Sequence, residues 1–446
     1  MDRRGFIGKA MVGGAVAVSG TAILNSCKSG YSVDASGLPE ILDRAVPGRK
    51  LKAILVGCGN RGTGAALNFL AAGDDLELIG LADVFQDKLD DCRSKLDKNG
   101  VVLEDKNCFA GFEGYKRALE LDADVVLLAT PPQFRPLHLK ACIEARKHVF
   151  MEKPAAVDPV GARSIMSTSK KAEGLGLTII TGTQRRHQED YIETFRQVAD
   201  GAIGIPFSAR AWWLQSHVWF RTREEGWSDM EYHLRNWNNF CWLSGDHILD
   251  THVHNIDIIN WFLGRHPVSA IGFGGRHRRI TGDQFDFFNV DFDFGDGLHS
   301  QSSCRQIDGC ENGIGEVVMG TEGFTNCQNT VYNLDGSVKW QFKYPVNQNG
   351  QSTGRVKIPA YVQEHIHLVT AIRNNQPVQE AEQTAISTLT AIMGRISAYT
   401  GKKQTWEQMM ESTLRLGPES EDDLSLSTPV SEESETPIPG IAHRAN

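Results

Sequence analysis

The stretch LKAILVGCGNRGTGAALNFLAAGDDLELIGLADV, from Leu51 to Val84, constrains this chain more than any other. Leu51 to Val56 is an apolar run of strand length, as in a strand covered on both faces of a parallel sheet. Gly57, Gly59 and Gly62 follow in a G-x-G-x-x-G pattern, and the alanine- and leucine-rich run after them reads as a helix. A second strand, Leu76 to Ala82, ends at Asp83. Gly57 allows the tight strand-to-helix turn, Gly59 lets the backbone approach a pyrophosphate, and Gly62 lets helix and strand pack closely. The phosphates then sit at the positive end of the helix. Asp83 lies about twenty residues beyond the last glycine, where a carboxylate accepts from ribose hydroxyls. A 2'-phosphate would meet a like charge there, so the cofactor expected is NAD. Asn60 and Arg61, inside the loop, count among its contacts.

The alternation of strands and helices continues. Ala123 to Ala129 is another buried strand, followed by TPPQFRPLH, and a helix through Leu139 to Ala145 leads to HVFMEKP. This is doubly wound α/β architecture. The loops at Thr130-Pro131 and at Glu152-Lys153-Pro154 leave carboxyl ends of strands, the edge where such sheets bind ligands. Thr130, Pro131, His138, Glu152 and Lys153 are therefore cofactor-side candidates.

The runs VGCGNRG, ADV, ATPPQFRPLH and ARKHVFMEKPAAV resemble the glucose-fructose oxidoreductase, inositol dehydrogenase and rhizopine-catabolism family, Gfo/Idh/MocA. The resemblance runs from about Leu51 to Met410 and includes GTQRRH, SGDHILDTHVHNIDIINWFLG and YVQEHIHLVTAIRNNQP. It implies an N-terminal Rossmann domain and a second α/β domain with a large, mostly antiparallel sheet, which often forms the interface of a dimer or tetramer. The boundaries expected are 49–155 for the Rossmann domain and 156–414 for the substrate and oligomerisation domain. It also implies hydride transfer between NAD and a hydroxyl of a sugar, glycoside or cyclitol.

That chemistry needs a base for the hydroxyl proton and a positive group for the developing alkoxide. The resemblance makes Lys153 the substrate-hydroxyl contact. A helix beginning near His247 puts Asp250, His254 and Asp257 on one face. An Asp and a His four residues apart line the family's substrate site, and they match Asp250 and His254. Imidazole suits proton transfer near neutral pH. Asp257 serves equally well as a cap or salt-bridge partner. His252 stands where the family commonly has glycine, which points to an altered pocket. His252 and His254 diverge on a helix, so no metal is expected. Gln184 lies near the cofactor by resemblance. Arg185, Arg186, His187 and Tyr191 are in reach of a polyhydroxylated or acidic substrate, or are salt-bridged surface residues. Six tryptophans between Trp212 and Trp242 suit sugar stacking, a core or an oligomer interface equally. Trp237 is the pocket candidate among them.

The chain opens MDRRGFIGKAMVGGAVAVSGTAILNSC. The paired arginines resemble a twin-arginine leader, and Leu24 to Cys27 a lipobox, so residues 1–27 read as an export signal with lipid anchoring at Cys27. Residues 28–48 read as a linker. The acidic, Ser- and Pro-rich stretch 415–446 reads as a disordered tail. The nine cysteines include no C-x-x-C pair, and a net charge of -9 argues against nucleic-acid partners. The route carries folded proteins, so an exported NAD enzyme is expected in the periplasm or anchored facing it. It must keep its cofactor and restore it each cycle. Three readings stay open: a sugar oxidoreductase with retained NAD, an NAD-dependent glycoside hydrolase working by transient C3 oxidation and elimination, and a non-catalytic sugar-binding protein.

Overall fold

The computed structural model describes residues 32–418, 424–430 and 436–441. The export signal and Cys27 lie outside the described residues.

The first sheet has six parallel strands in the order β3-β2-β1-β4-β5-β6. The strands are β1 (Leu51–Val56), β2 (Leu76–Asp83), β3 (Cys108–Ala110), β4 (Val125–Leu128), β5 (His148–Met151) and β6 (Ile179–Thr181). Helices α1 (Asn60–Ala71), α2 (Gln86–Asp97), α3 (Gly114–Leu119), α4 (Arg135–Glu144) and α5 (Pro159–Gly174) connect them. Central strand β4 is buried at every position, as expected of a strand covered on both faces. The order reverses between β1 and β4, which opens the ligand crevice at their carboxyl ends. The domain does not stop at residue 155. α5 crosses back and lays β6 parallel to β5, so the sheet closes at Thr181.

The second sheet has nine strands in the order β14-β13-β12-β11-β7-β10-β9-β8-β15. After α6 (Glu189–Ala199) comes β7 (Pro206–Gln215), followed by α7 (Asp229–Arg235), α8 (Cys241–Ser244), α9 (His247–Asp250) and α10 (Val253–Leu263). The chain then forms β8 (Ser269–Gly275), β9 (Phe287–Asp293), β10 (His299–Gln306) and β11 (Gly313–Gly320). β12 (Gly323–Thr325), β13 (Thr330–Tyr332) and β14 (Val338–Gln341) complete one wing, and β15 (Gln404–Thr405) the other. β7 and β10 run parallel, and every other pairing is antiparallel. One face packs on α10 and α12 (Ala381–Thr400), burying Val290, Phe292, Ile259 and Met393. The opposite face exposes Ile271, Phe273 and Met319. Helix α11 (Ala360–Arg373) packs its Ile366, Leu368 and Val369 into the core of the first sheet instead.

Both ends of the described chain are docked. Residues 32–48 are not a free linker. Val33 and Leu38 pack on the second core, the Glu40 carbonyl lies 2.9 Å from His367 Nε2, and the Ala45 amide donates to the Ala72 carbonyl. The described parts of the tail are not free either. Leu416, Leu424 and Val430 pack against an aromatic cluster, and the Gly440 amide donates to the Thr400 carbonyl. These few apolar side chains find a prepared surface, which composition averages conceal. Cys304 and Cys310 are both free thiols.

Candidate active site

The glycine loop divides its three glycines by task. Gly57 has φ +98°, and a Cβ there would lie 2.7 Å from the Ala129 carbonyl carbon. A Cβ on Gly62 would lie 1.9 Å from the Gly57 carbonyl oxygen. Both are needed by the protein's own packing. A Cβ on Gly59 would meet nothing within 4 Å. That open space lies at the amino end of α1, where a pyrophosphate would be held. Asp83 closes β2, and its carboxylate accepts from the Cys58 amide at 2.7 Å and the Phe85 amide at 3.0 Å. Burial raises its pKa against those two bonds. Asn60 is exposed and accepts from Lys95 at 2.9 Å.

Across the crevice, Thr130 Oγ1 lies 3.1 Å from His138 Nδ1, with Pro131 between β4 and α4. Burial pushes His138 down to about 3, so the ring is neutral and fixes the loop rather than carrying charge. Glu152, at the end of β5, holds Arg61 of the glycine loop. Arg61 also reaches Glu364 of α11 at 2.8 Å and stacks over Tyr361 at 4.6 Å. Gln184 follows β6, and its Oε1 is buried without a hydrogen-bond partner among the described residues. An acceptor left open in this way, with the open space over Gly59, fits a bound dinucleotide.

Lys153, Asp250 and His254 converge beside this crevice. Lys153 Nζ donates to the Asp250 backbone carbonyl and lies 3.8 Å from Asp250 Oδ1. His254 stacks on Trp213 of β7 with ring centroids 5.9 Å apart. Burial holds its pKa well below the ordinary value, reinforced by the positive charges of Lys153, Arg185 and Arg61. His254 is therefore an uncharged base beside a fixed ammonium.

The continuous helix expected from His247 through Asp257 is broken. α9 ends at Asp250, Thr251 and His252 intervene, and α10 starts at Val253. His252 turns into the core, where its Nε2 lies 2.7 Å from Ser302 Oγ on β10. It lies outside the pocket it was expected to alter. Asp257 forms a bidentate pair with Arg186 at 2.7 and 2.9 Å and accepts from Ser387 Oγ at 2.7 Å. Arg186 is thus committed to a buried carboxylate rather than to a substrate. His187 is buried too, with Nδ1 2.6 Å from His367 Nδ1 and Nε2 3.3 Å from Glu380. Tyr191 is 5% exposed and donates to Glu316 at 3.4 Å. Trp237 packs, half-buried, against the aromatic cluster of Phe85, Phe134 and Trp242.

Two of four further participants, Glu364 and Arg235, were not among the residues expected from the sequence. Arg185 pairs with Glu316 of β11 and lies over Trp213 at 5.5 Å, next to His254. Glu364 anchors Arg61, Trp213 backs His254, and Arg235 reaches Asp87 of α2. Arg185, in the QRRH run, and Trp213, among the six tryptophans, were candidates from the sequence. The others depend on contacts between distant segments.

Residues 51–179 match the model of an oxidoreductase family with an NAD-binding Rossmann fold, and 191–325 match the Gfo/Idh/MocA C-terminal domain. The chain belongs to the Gfo/Idh/MocA oxidoreductase family. Its first domain is the family's NAD-binding Rossmann domain. Myo-inositol 2-dehydrogenase of Thermotoga maritima is 27% identical over 214 residues, 47% of this chain and 54% of that protein. D-glucoside 3-dehydrogenase of Escherichia coli is 24% identical over 229 residues, 51% of this chain and 58% of that protein. The chain spans about half the length of the curated relatives it matches. Scyllo-inositol dehydrogenase from Lactobacillus casei, solved with NAD(H) and scyllo-inositol, superposes with a TM-score of 0.60 at 20% identity. It covers 80% of this chain and 99% of that one, a likeness of fold.

Proposed function

We propose that this chain is an NAD-dependent dehydrogenase that oxidises a secondary hydroxyl of a sugar, glycoside or cyclitol. The observation that carries this reading is the meeting of Lys153, Asp250 and neutral His254 beside the glycine-loop crevice. Bound NAD supplies the hydride acceptor. Gly57, Gly59 and Gly62 shape the phosphate cradle, Asp83 takes the ribose hydroxyls, and Gln184 offers its open acceptor to the nicotinamide end.

The chain's own groups handle the proton. Lys153 holds the substrate hydroxyl and stabilises the alkoxide as it develops. His254 Nε2 or Nδ1 accepts the proton, since the ring is held uncharged. Asp250 sits close enough to Lys153 to fix its ammonium and to offer an acceptor to a second hydroxyl of the polyol. Trp213 gives the histidine a flat apolar backing. The names of the inositol and glucoside dehydrogenase relatives support a polyhydroxylated substrate.

The finer reading adds export. An Arg3-Arg4 leader with a lipobox-like Cys27 fits a periplasmic or membrane-anchored enzyme that retains NAD through a closed redox cycle. The exposed apolar face of the second sheet fits a homodimer or homotetramer. The test is a panel of inositols, aldoses and methyl glycosides assayed for reduced nicotinamide, with Lys153→Met and His254→Gln alongside. Turnover on one substrate class, lost in both variants while NAD still binds, is the expected result. Full turnover in Lys153→Met overturns the assignment.

A further inference from the structure

The carboxyl ends of β2 and β4 form the two walls of the adenosine half of a Rossmann crevice. Phe85 stands two residues beyond Asp83 on one wall, and Phe134 follows Thr130-Pro131 on the other. Neither side chain faces solvent. Both are buried in one cluster with Met230, Leu234, Phe240 and Trp242, all supplied by the segment that precedes the Asp250–His254 site. Phe134 meets Trp242 edge to face at 6.5 Å. Arg235, at the end of α7, lies over the Phe85 ring at 4.0 Å and makes two bonds of 3.0 Å each to the Asp87 carboxylate in the first turn of α2. Glu231 holds the same guanidinium from below at 2.8 Å. One segment of the second domain, α7 with the α8 that follows it, therefore bridges both walls.

The C-terminal segment lies over the same bridge. Leu416, Leu424 and Val430 pack onto the cluster. The Leu416 carbonyl accepts from Gln133 at 3.1 Å, its amide donates to Asp158 at 2.9 Å, and Ser228 donates to the Leu426 carbonyl. Apolar burial stabilises the closed arrangement, and the bidentate pair fixes its register.

We infer that α7, with Arg235 clamped on Asp87 and Phe85, and the C-terminal residues 416–418 and 424–430 form a clasp over the adenosine end of the NAD site that sets the rate at which NAD enters and leaves. The inference rests on the NAD-dehydrogenase reading and deepens it, because it gives cofactor retention a physical cause. A clasp is a barrier in both directions, and that separates it from a simple contact. Opening it speeds binding as well as release, whereas losing a contact speeds release alone.

The experiment uses the full-length chain in three forms: unchanged, Arg235→Met, and Leu424→Ala combined with Val430→Ala. Arg235→Met keeps side-chain bulk over Phe85 and removes the ion pair. The association rate is read from tryptophan quenching on adding NAD to NAD-free protein. The dissociation rate is read by chasing labelled NAD with unlabelled NAD. Thermal unfolding of the NAD-free forms checks folding. The expected result is a rise of about tenfold or more in both rate constants for Arg235→Met, and a rise in the same direction for the tail variant, corresponding to about 1.4 kcal/mol per tenfold. Unchanged release, or faster release with unchanged association, overturns the clasp while leaving the dehydrogenase reading in place. An unchanged chain that binds no NAD overturns both. If Arg235→Met fails to fold, the tail variant decides.

Discussion

The three glycines of the loop separate cofactor binding from folding, and a Gly→Ala series reads that separation directly. Gly59 has φ -68° and ψ -178°, a backbone conformation any residue adopts, and its added Cβ would touch no protein atom within 4 Å. Gly59→Ala is expected to change unfolding free energy by no more than about 0.5 kcal/mol, the range of ordinary exposed substitutions. The methyl group would occupy the path by which a pyrophosphate approaches the backbone. Losing one or two charge-assisted bonds of about 1.5–3 kcal/mol each weakens NAD by roughly tenfold to several hundredfold or more. Gly62→Ala behaves differently, because its Cβ would fall 1.9 Å from a backbone oxygen and α1 must move away from the loop. Overpacking against rigid backbone costs about 3 kcal/mol. Gly57→Ala adds the strain of φ +98° to a contact of 2.7 Å with the Ala129 backbone, and is expected to destabilise at least as much. The assays are urea unfolding and NAD titration by calorimetry on each variant. Wild-type NAD affinity in Gly59→Ala would refute the placement of the phosphates on this loop. A folding loss at Gly59 as large as that at Gly62 would refute the division of roles.

Three further expectations concern other parts of the chain. His138 and His252 are held near 3 and His233 near 4 by burial, so the unfolded chain takes up these protons first as pH falls. Their stability contribution is complete above the ordinary histidine range and is lost as pH falls from about 6.5 towards 3 or 4, amounting to about 4 kcal/mol between pH 7 and 5.5 for the three. Urea unfolding at the two pH values checks it, and His138→Gln is expected to shrink the drop by about 1 kcal/mol. Asp257→Ala strands buried Arg186 and is expected to cost about 3–5 kcal/mol in the same assay. Stability equal to wild type would return Arg186 to the substrate candidates. Placing aspartate at Ile271 and Phe273, both more than half exposed on the open sheet face, is expected to lower the oligomeric state in sedimentation without unfolding the protomer. An unchanged assembly would locate the interface elsewhere.

The first domain was legible because each signal was local. The glycine spacing, the acid closing β2 and the E-K-P turn all lie within short runs whose residue types have few structural uses. The second domain was legible in class, while several side chains were misplaced for non-local reasons. No glycine or proline marks the break between α9 and α10. It is set by His252 turning to Ser302, fifty residues away. Arg186 and His187 look like solvent-facing cations in QRRH, yet their partners are Asp257 and His367 on other helices and Glu380 just before α12. The sequence leaves Asp257 between a salt bridge and a place on the Asp250–His254 face, and its bidentate pair with Arg186 takes the first. The tail's average composition is that of a free chain, but Leu416, Leu424 and Val430 are spaced to meet an aromatic surface built by the second domain.

The most direct test of the central claim is to follow the hydride itself. NAD-loaded protein would be incubated with a cyclitol or sugar deuterated at its carbinol carbons, and the nucleotide released by denaturation weighed by mass spectrometry. The expected result is reduced nicotinamide carrying deuterium in the wild-type chain, with oxidised, unlabelled NAD recovered from Lys153→Met. Oxidised, unlabelled nucleotide from the wild-type chain with every polyol in the panel would contradict the assignment of hydride transfer to this site.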